Sequence, residues 1–320
     1  MNPTEKKMLA RLMFQVKVHR AEGFEFENFF GQIMSYSRPG FVKVQPYGNQ
    51  GDRGNDGYEA AFGRYYQVYA PQNPSVTKVA AIKKAQEDFQ DKLIPYWSKI
   101  CVPQEYIFVF NDKYKGTNIE IDGALASIKA SHGLKGANVF LNKNLEDEFI
   151  ALSEDQMMMI IGGVPDFNSG EFLDYGVLGE VIGHILNSPP EMDLGSKLIS
   201  PDFEDKIKFN QLGLCGAWLR GKQVEVWQVD DYLSKNSDFA KQSLRDHLAG
   251  YYAESIALIT SSQSGSSIGD LRFAYILDRM APLSGNGAKD RLKKDAALVV
   301  MSKYFETCDI FEEPAYVNAC

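Results

Sequence analysis

The hydrophobic pattern of the chain changes close to its midpoint. Up to about residue 165, helix-like segments alternate with short strand-like segments, whereas beyond it apolar positions recur mainly at helical spacing. In residues 237–260, for example, large apolar residues lie three or four positions apart. The pattern predicts an α/β domain over residues 1–165 and an all-α domain over residues 166–320.

The first half predicts a mixed sheet flanked by helices. Helices over 4–20 and 22–36 precede a strand in FVKVQPY, a glycine-rich loop, and a hairpin formed by GYEAAF and RYYQVYA. A long helix over 76–97 follows, and strands in EYIFVFND and ANVFLN flank a helix near 120–132. EYIFVFND is continuously apolar, which is typical of a strand covered on both faces. In the second half, only QVEVWQV keeps a strand-like alternation.

Composition places the chain among ordinary globular proteins. Its hydrophobic fraction is 44% and its charged fraction is 24%. No apolar run approaches the roughly 18 residues that a membrane span needs, and the start MNPTEKKML lacks the apolar core of a signal peptide. We therefore expect a cytoplasmic protein that does not enter the membrane. The four cysteines and four histidines form no metal-binding or disulfide spacing.

Charge is distributed unevenly between the two predicted domains. Residues 1–165 carry 19 Lys+Arg and 19 Asp+Glu, and residues 166–320 carry the remaining 15 and 23, which gives the net charge of −8. A polyanion such as DNA would therefore contact the first domain, and the acidic second domain would face protein or water.

One segment of the first domain combines residues that could hold a metal ion. In GNQGDRGNDGYEAAFGRYYQVY (48–69), Asp56 directly precedes one strand of the predicted hairpin, and Gln67 lies in the middle of the next. Carboxylate and amide oxygens are ligands for hard divalent cations, and phosphodiesterases use such cations in catalysis. Asp52, earlier in the loop, is interpreted as a turn-forming residue.

The residues by themselves leave simpler interpretations open. An Asp-Gly pair before a strand often does no more than form a turn, and a single glutamine in a strand is often an edge residue. Four lysines between positions 78 and 92 could line a phosphate groove. They are interleaved with Glu87, Asp88 and Asp91, however, which favours a solvated helix face.

The segments GFEFENFFGQIM, an apolar strand, GDRGNDGY and YYQVY follow one another in an order that resembles the Mrr-like branch of the restriction-endonuclease-like, or PD-(D/E)XK, fold. This resemblance implies a DNA endonuclease that acts on double-stranded DNA with Mg²⁺ or Mn²⁺. Members of this branch carry a glutamate on the first core helix, and the resemblance implies that Glu27 is this residue. Glu25 is the candidate if the alignment is shifted by two positions. The resemblance further implies that Asp56 and Gln67 bind the metal, together with the carbonyl oxygen of Val68.

The sequence departs from this family at Tyr69, where the strand should carry a lysine that positions or activates the attacking water. In family members that have lost the lysine from this strand, a lysine from the following helix can replace it. The candidates here are Lys78, Lys83 and Lys84. A helical wheel favours Lys78, whereas the KAQEDF context favours Lys84, which we take as the catalytic residue. If no lysine takes this role, the alternative is a catalytically silent DNA-binding or assembly module.

A second resemblance concerns the helical half. SPDFEDKIKFNQLG, VWQVDDYLSKN and KYFETCDIFEEP resemble the C-terminal region of proteins from the ABC-three-component, or Lamassu-type, bacterial defence systems. This implies an effector whose helical domain docks on an SMC-like ATPase and a third subunit. These partners would keep the effector inactive until phage or plasmid DNA is sensed. Because cutting both strands requires two sites, we also expect a homo-oligomer, either a dimer or a tetramer.

Overall fold

The computed structural model describes residues 3–46, 51–75, 78–163, 173–190, 203–235, 238–262, 266–306 and 310–314. The chain forms two compact units. One comprises Lys17–Ile160, and the other comprises Met1–Val16 together with Ile161–Cys320. The first unit contains a sheet flanked by helices and the second is mostly helical, which confirms the predicted α/β and α classes.

The α/β unit contains a five-stranded mixed sheet with the strand order β1-β2-β3-β4-β5. The strands are β1 (Phe41–Lys43), β2 (Gly57–Glu59), β3 (Arg64–Tyr69), β4 (Glu105–Phe110) and β5 (Gly136–Phe140). The first three are antiparallel neighbours, whereas β3, β4 and β5 run parallel to one another. Gly63, in the left-handed conformation at a φ of 59°, turns the chain from a short 3-10 segment into β3.

The helices in the first part of the chain lie close to their predicted positions in the sequence. They are α1 (Pro3–Arg20), α2 (Gly23–Ser37), α3 (Lys78–Glu87), α4 (Ile94–Trp97), α5 (Ile119–His132), α6 (Asn142–Ile150) and α7 (Glu154–Ile161). The boundary between the two units falls within α1, between Val16 and Lys17. The predicted helix over 76–97 contains a π-helical segment, Asp88–Leu93, between α3 and α4. Such segments are rare and often occur at functional sites.

The core of the α/β unit packs α3 and α5 against the sheet. On α3, the small residues Ala81 and Ala85 are fully buried, so the helix can approach the strands closely. Phe89 packs on Tyr106 of β4 with 4.7 Å between the ring centroids. This packing holds β3 and β4 firmly and fixes the positions of the side chains that they present at the site described below.

The helical unit contains seven further helices in the described ranges. They are α8 (Tyr175–Asn187), α9 (Phe203–Phe209), α10 (Leu214–Lys222), α11 (Val226–Ser234), α12 (Asp238–Leu258), α13 (Ile268–Met280) and α14 (Gly287–Glu306). In the described part of the chain, none of the helices is long and apolar enough to cross a membrane.

The strand-like interpretation of QVEVWQV is wrong. Gln223–Glu225 form a 3-10 turn, and the rest of the segment begins α11. In a strand, Val224 and Val226 would lie on the same face, but Val224 is 76% exposed and Val226 is buried. Val226, Val229 and Leu233 instead share the buried face of a helix, with the period of 3.6 residues that the short alternating segment conceals.

Candidate metal-binding site

Asp56 and Gln67 meet at the start of the β2–β3 hairpin. The two strands are antiparallel with Gly57 opposite Tyr66, which places the preceding Asp56 next to Gln67. Gln67 Nε2 donates a 2.7 Å hydrogen bond to Asp56 Oδ2, and the main-chain N–H of Val68 donates a 2.6 Å bond to the same oxygen. Asp56 and Gln67 are both almost fully buried.

Three acidic side chains influence one another at this point. Burial is the main cause that raises the pKa of Asp56 well above its usual value, and the negative charges of Asp52 and Glu27 raise it further. The hydrogen bond from Val68 acts in the opposite direction. Burial, followed by the charge of Asp52, also raises the pKa of Glu27. The site therefore concentrates negative charge in a poorly solvated place.

Two of the side chains at the site carry oxygen atoms with unused hydrogen-bonding capacity. Glu27 Oε1 and Gln67 Oε1 are buried and accept no hydrogen bond from any described residue. Leaving such acceptors unpaired is unfavourable, as is the mutual repulsion of the acids. A divalent cation would relieve both, because it prefers oxygen ligands and carries positive charge. The residues at the site therefore fit such an ion.

The carboxylates alone do not form a metal site. Within the described ranges, no group of three or more His, Cys, Asp or Glu side chains could hold a metal ion. The set implied by the resemblance has a single carboxylate, that of Asp56, and depends on the Gln67 amide and the Val68 carbonyl for its other oxygens. Of the two candidate glutamates on α2, Glu25 is exposed, whereas Glu27 is half-buried beside the acids.

The glycine-rich loop packs against the π-helical segment and orients Asp52. The Asp52 Oδ1 atom accepts a 2.7 Å hydrogen bond from the N–H of Gly54, as expected of a turn-forming residue. Gly54 has a φ of 72°, and a Cβ atom there would lie 2.4 Å from the carbonyl oxygen of Asp88. Only glycine adopts this positive φ without strain and also lacks the Cβ atom that would clash with Asp88. Asp52 thus belongs to the turn and also to the acidic cluster, meaning Glu27, Asp52 and Asp56. The sequence pattern did not reveal this second role.

Lys84 lies close to the acids, and a buried aspartate holds it there. Asp88, which is 2% exposed, forms ion pairs with both Lys84 and Lys92. The positive charge of Lys84 lowers the pKa of Glu27. The prediction of a solvated face is therefore wrong for Asp88, because the residue packs beneath the Gly54 loop.

The other candidate lysines are placed differently. Lys83 is exposed and pairs with Glu87 on the same helix, as on an ordinary solvated face. The side chain of Lys78 lies outside the described residues.

Tyr69 occupies the position of β3 at which the resemblance noted in the sequence leads us to expect a lysine. Its ring stacks on those of Phe108 and Phe110, with 6.1 Å between the centroids in each case. Because Gln67 and Tyr69 are two positions apart on β3, they face the same side of the sheet. At this position β3 therefore supplies an aromatic surface instead of a cation.

A groove opens beside Glu27. It has a volume of about 520 Å³ and is lined by Phe24, Glu27, Asn28, Lys43, Val44, Gln45 and Pro46. Lys43 Nζ donates a hydrogen bond to Asn28 Oδ1. Glu27 thus borders the groove and also interacts electrostatically with Asp52 of the acidic cluster.

Comparison with known families concerns the helical unit. Residues 177–312 match the family model of C-terminal domain 10 of the ABC-three component (ABC-3C) systems. This region of the chain is similar to that domain of ABC-3C proteins. The match extends from α8 to beyond α14 and covers less than half of the 320 residues. It confirms the resemblance predicted for the ABC-3C-like region, meaning residues 177–312. No curated protein and no solved structure matches the chain.

Proposed function

We propose that the chain is the effector of a Lamassu-type ABC-3C defence system and that its α/β unit is a Mg²⁺-dependent DNA endonuclease. The observation that carries the proposal is the buried contact between Asp56, directly before β2, and Gln67 of the adjacent antiparallel β3, with Glu27 and Lys84 close by. The match of residues 177–312 supports the defence context.

The proposed mechanism gives each residue a distinct part. Asp56, Gln67 and the carbonyl of Val68 would hold Mg²⁺ or Mn²⁺, which when bound acidifies the attacking water and offsets charge on the phosphate. Asp56 must lose its proton to serve as a ligand, whereas the Gln67 oxygen is available at any pH. Glu27 would orient a water molecule through its unpaired Oε1.

Lys84 would supply the cation that is missing from β3 at position 69, where Tyr69 stands. Its charge acts on Glu27, so it is suitably placed to position the attacking water or to offset negative charge on the phosphate. Asp88 limits the conformations available to Lys84, because its buried carboxylate accepts a hydrogen bond from the Lys84 ammonium group. Such an anchor reduces the loss of side-chain entropy when substrate binds.

The ABC-3C-like region would regulate the nuclease. We propose that it docks on an SMC-like ATPase and a third subunit, which keep the effector inactive until foreign DNA is sensed. The negative balance of residues 166–320 favours a protein-binding role for this half over DNA binding. Assembly of a dimer or tetramer would bring together two sites for cutting both strands of double-stranded DNA.

The alternative is a catalytically silent nuclease-like module that binds DNA or promotes assembly. Two observations favour it, namely the aromatic stack at Tyr69 and the ion pair that occupies Lys84. On this alternative, the buried acids would be retained without metal-dependent chemistry.

Cleavage of plasmid DNA tests the proposal. The full chain would be incubated with supercoiled plasmid and Mg²⁺ at low salt, because phosphate contacts weaken as salt rises. Cleavage should be absent in Asp56→Ala and unchanged in Asp122→Ala, which alters an exposed acid of the same unit. Each protein would also be tested with its partner subunits and linear DNA ends. No Asp56-dependent cleavage under any of these conditions would support the silent module.

A further inference from the structure

The groove beside Glu27 has the size of a site for a small ligand. Its volume of about 520 Å³ falls within the range of about 300–1,000 Å³ that is typical of ligand-binding pockets. The groove shares Glu27 with the proposed catalytic site. A substrate group that occupies it would therefore contact one residue of that site.

The lining of the groove combines an aromatic surface with amide groups. Phe24 is 64% exposed near the start of α2, so its ring is available for contact with a planar ligand. Gln45 offers an amide donor and an amide acceptor, and Asn28 offers an amide donor while its oxygen binds Lys43; proteins use such amides to bind the edges of nucleobases. Val44 and Pro46 add apolar surface. Together these residues suit a flat, polar-edged ring.

A single cation among the lining residues suits the phosphate that accompanies a base. Lys43 is exposed on β1, and its alkyl chain crosses α2 at Gly31, where a Cβ atom would lie 2.8 Å from Lys43 Cδ. Gly31 therefore leaves room for the lysine stem, and Asn28 holds the ammonium end at the groove. The positive charge counteracts the negative charge of Glu27, which would otherwise repel a phosphate.

The groove favours an unpaired base over an intact duplex. Aromatic side chains stack on the face of a base, and this face is accessible only when the base is unstacked or single-stranded. Extruding a base from a duplex requires unstacking and unpairing, whereas a single strand avoids this cost. We propose that the groove binds one unpaired nucleotide of the substrate strand, with the base on Phe24 and a phosphate on Lys43. The inference rests on the proposed nuclease and adds a preference for single-stranded segments or frayed ends.

Metal-free binding tests the inference independently of cleavage. The anisotropy of a fluorescent single-stranded oligonucleotide would be measured with the full chain in EDTA, alongside a flush-ended duplex of the same sequence. Phe24→Ala should weaken single-strand binding by about 5- to 150-fold, the range measured for loss of one aromatic stack. Phe62→Ala, which removes an exposed phenylalanine outside the groove lining, should leave binding unchanged.

The salt dependence tests the role assigned to Lys43. In Lys43→Gln the slope of log K against log salt for the single strand should decrease in magnitude by about 0.7, the value for one lost phosphate contact. Lys83→Gln, which alters an exposed lysine outside the groove lining, should leave the slope unchanged.

Two results would overturn the inference. The first is equal single-strand binding by Phe24→Ala and Phe62→Ala, and the second is an equal loss of duplex binding in Phe24→Ala. Because these measurements need no metal, a Phe24-dependent preference for single strands supports the groove even if the plasmid shows no cleavage. Conversely, Asp56-dependent cleavage with unchanged single-strand binding by Phe24→Ala would preserve the nuclease and exclude the groove.

Discussion

Gln67 donates its side-chain amide hydrogen to the Asp56 carboxylate across two antiparallel strands, and both side chains are buried. This hydrogen bond stabilises the Asp56 carboxylate, which is too deeply buried to be stabilised by water. It also directs the nitrogen of the amide to Asp56 and leaves the amide oxygen without a partner among the described residues. This arrangement is costly for stability alone, and it is understandable if the site also accepts a cation.

Replacing Asp56 with asparagine should stabilise the metal-free protein. The folded state holds the Asp56 proton to a higher pH than the unfolded state, because burial raises the pKa. Stability is therefore lost as pH rises from the unfolded pKa through the folded pKa. Asp56→Asn removes this loss and keeps an oxygen that accepts hydrogen bonds. We expect the free energy of unfolding in urea with EDTA at neutral pH to rise by about 0.5–2 kcal/mol.

Asp122→Asn provides the control for this measurement, because Asp122 is exposed in the same unit. The free energy of unfolding should change little for this variant. A lower stability of Asp56→Asn than of wild type would show that the ionised carboxylate is favourable in the metal-free fold.

Magnesium should stabilise the wild-type protein more strongly as pH rises. Protons and the cation compete for Asp56, so binding strengthens as pH passes through the raised pKa of this carboxyl group. At a Mg²⁺ concentration one hundred times Kd, the stabilisation would be about 2.7 kcal/mol. Thermal unfolding with Mg²⁺ and with Na⁺ at equal ionic strength would be compared over a range of pH. An equal Mg²⁺ effect in Asp56→Asn would exclude this residue as a ligand.

Lys84 should be needed for cleavage, and Lys83 should not. Lys84 acts on Glu27 and is held by Asp88, whereas Lys83 forms an exposed pair on the solvated face. Loss of a group that positions or activates the attacking water typically lowers the rate by about 10²–10⁴-fold. We expect this for Lys84→Ala in the plasmid assay, with unchanged cleavage by Lys83→Ala. Full activity in both variants would place the catalytic cation elsewhere, with Lys78 as the next residue to replace.

The sequence pattern predicted the elements of the α/β unit well, because strongly apolar strands and long periodic helices carry local signals. EYIFVF is such a case, since Tyr106, Phe108 and Phe110 are buried in the core and Val109, on the opposite face, is buried as well. The roles of Asp52 and Asp88 were not predictable in this way. They depend on the packing of Gly54 against Asp88, a contact between residues distant in the sequence. QVEVWQV is ambiguous in sequence, because a segment of seven residues fits an alternating pattern as easily as a helical one.

His19 should make the protein sensitive to moderate acid. Its ring is buried, and both ring nitrogens are without a hydrogen-bond partner among the described residues. Burial, and to a smaller degree the charges of Lys113 and Lys115, lower its pKa from 6.5 to about 4. The unfolded chain therefore binds the proton first as pH falls. The contribution of neutral His19 to the free energy of unfolding is fully present above pH 6.5 and is lost as the pH falls towards 4.

At pH 4 the loss due to His19 would amount to about 3 kcal/mol. His19→Leu should remove this part of the pH dependence, so urea unfolding should show a shallower decline between pH 6.5 and 4 than in wild type. His132→Leu alters an exposed histidine of the same unit and serves as the control. If the free energy of unfolding declined equally with falling pH in His19→Leu and wild type, folding would not lower the pKa of His19.

In the ABC-3C-like region, two helical glycines should respond oppositely to alanine. At Gly269 a Cβ atom would lie 1.9 Å from the carbonyl oxygen of Asn210, a main-chain atom that no change of rotamer can move. We expect Gly269→Ala to lower the free energy of unfolding by about 3 kcal/mol. At Gly183 a Cβ atom would meet nothing within 4 Å, so Gly183→Ala should raise it by about 0.5–1 kcal/mol through helix propensity.

The clash at Gly269 should also affect the adjacent Asp270. The Asp270 carboxylate accepts a 3.0 Å hydrogen bond from the N–H of Cys215 near the start of α10. Displacing Asp270 would leave a buried N–H without its partner, which adds to the penalty. Urea unfolding of both glycine variants, with amide hydrogen exchange at Cys215, would separate these effects. Faster exchange in Gly269→Ala alone supports a rigid junction between α10 and α13, whereas wild-type stability and exchange would mean that the main chain at Asn210 moves aside.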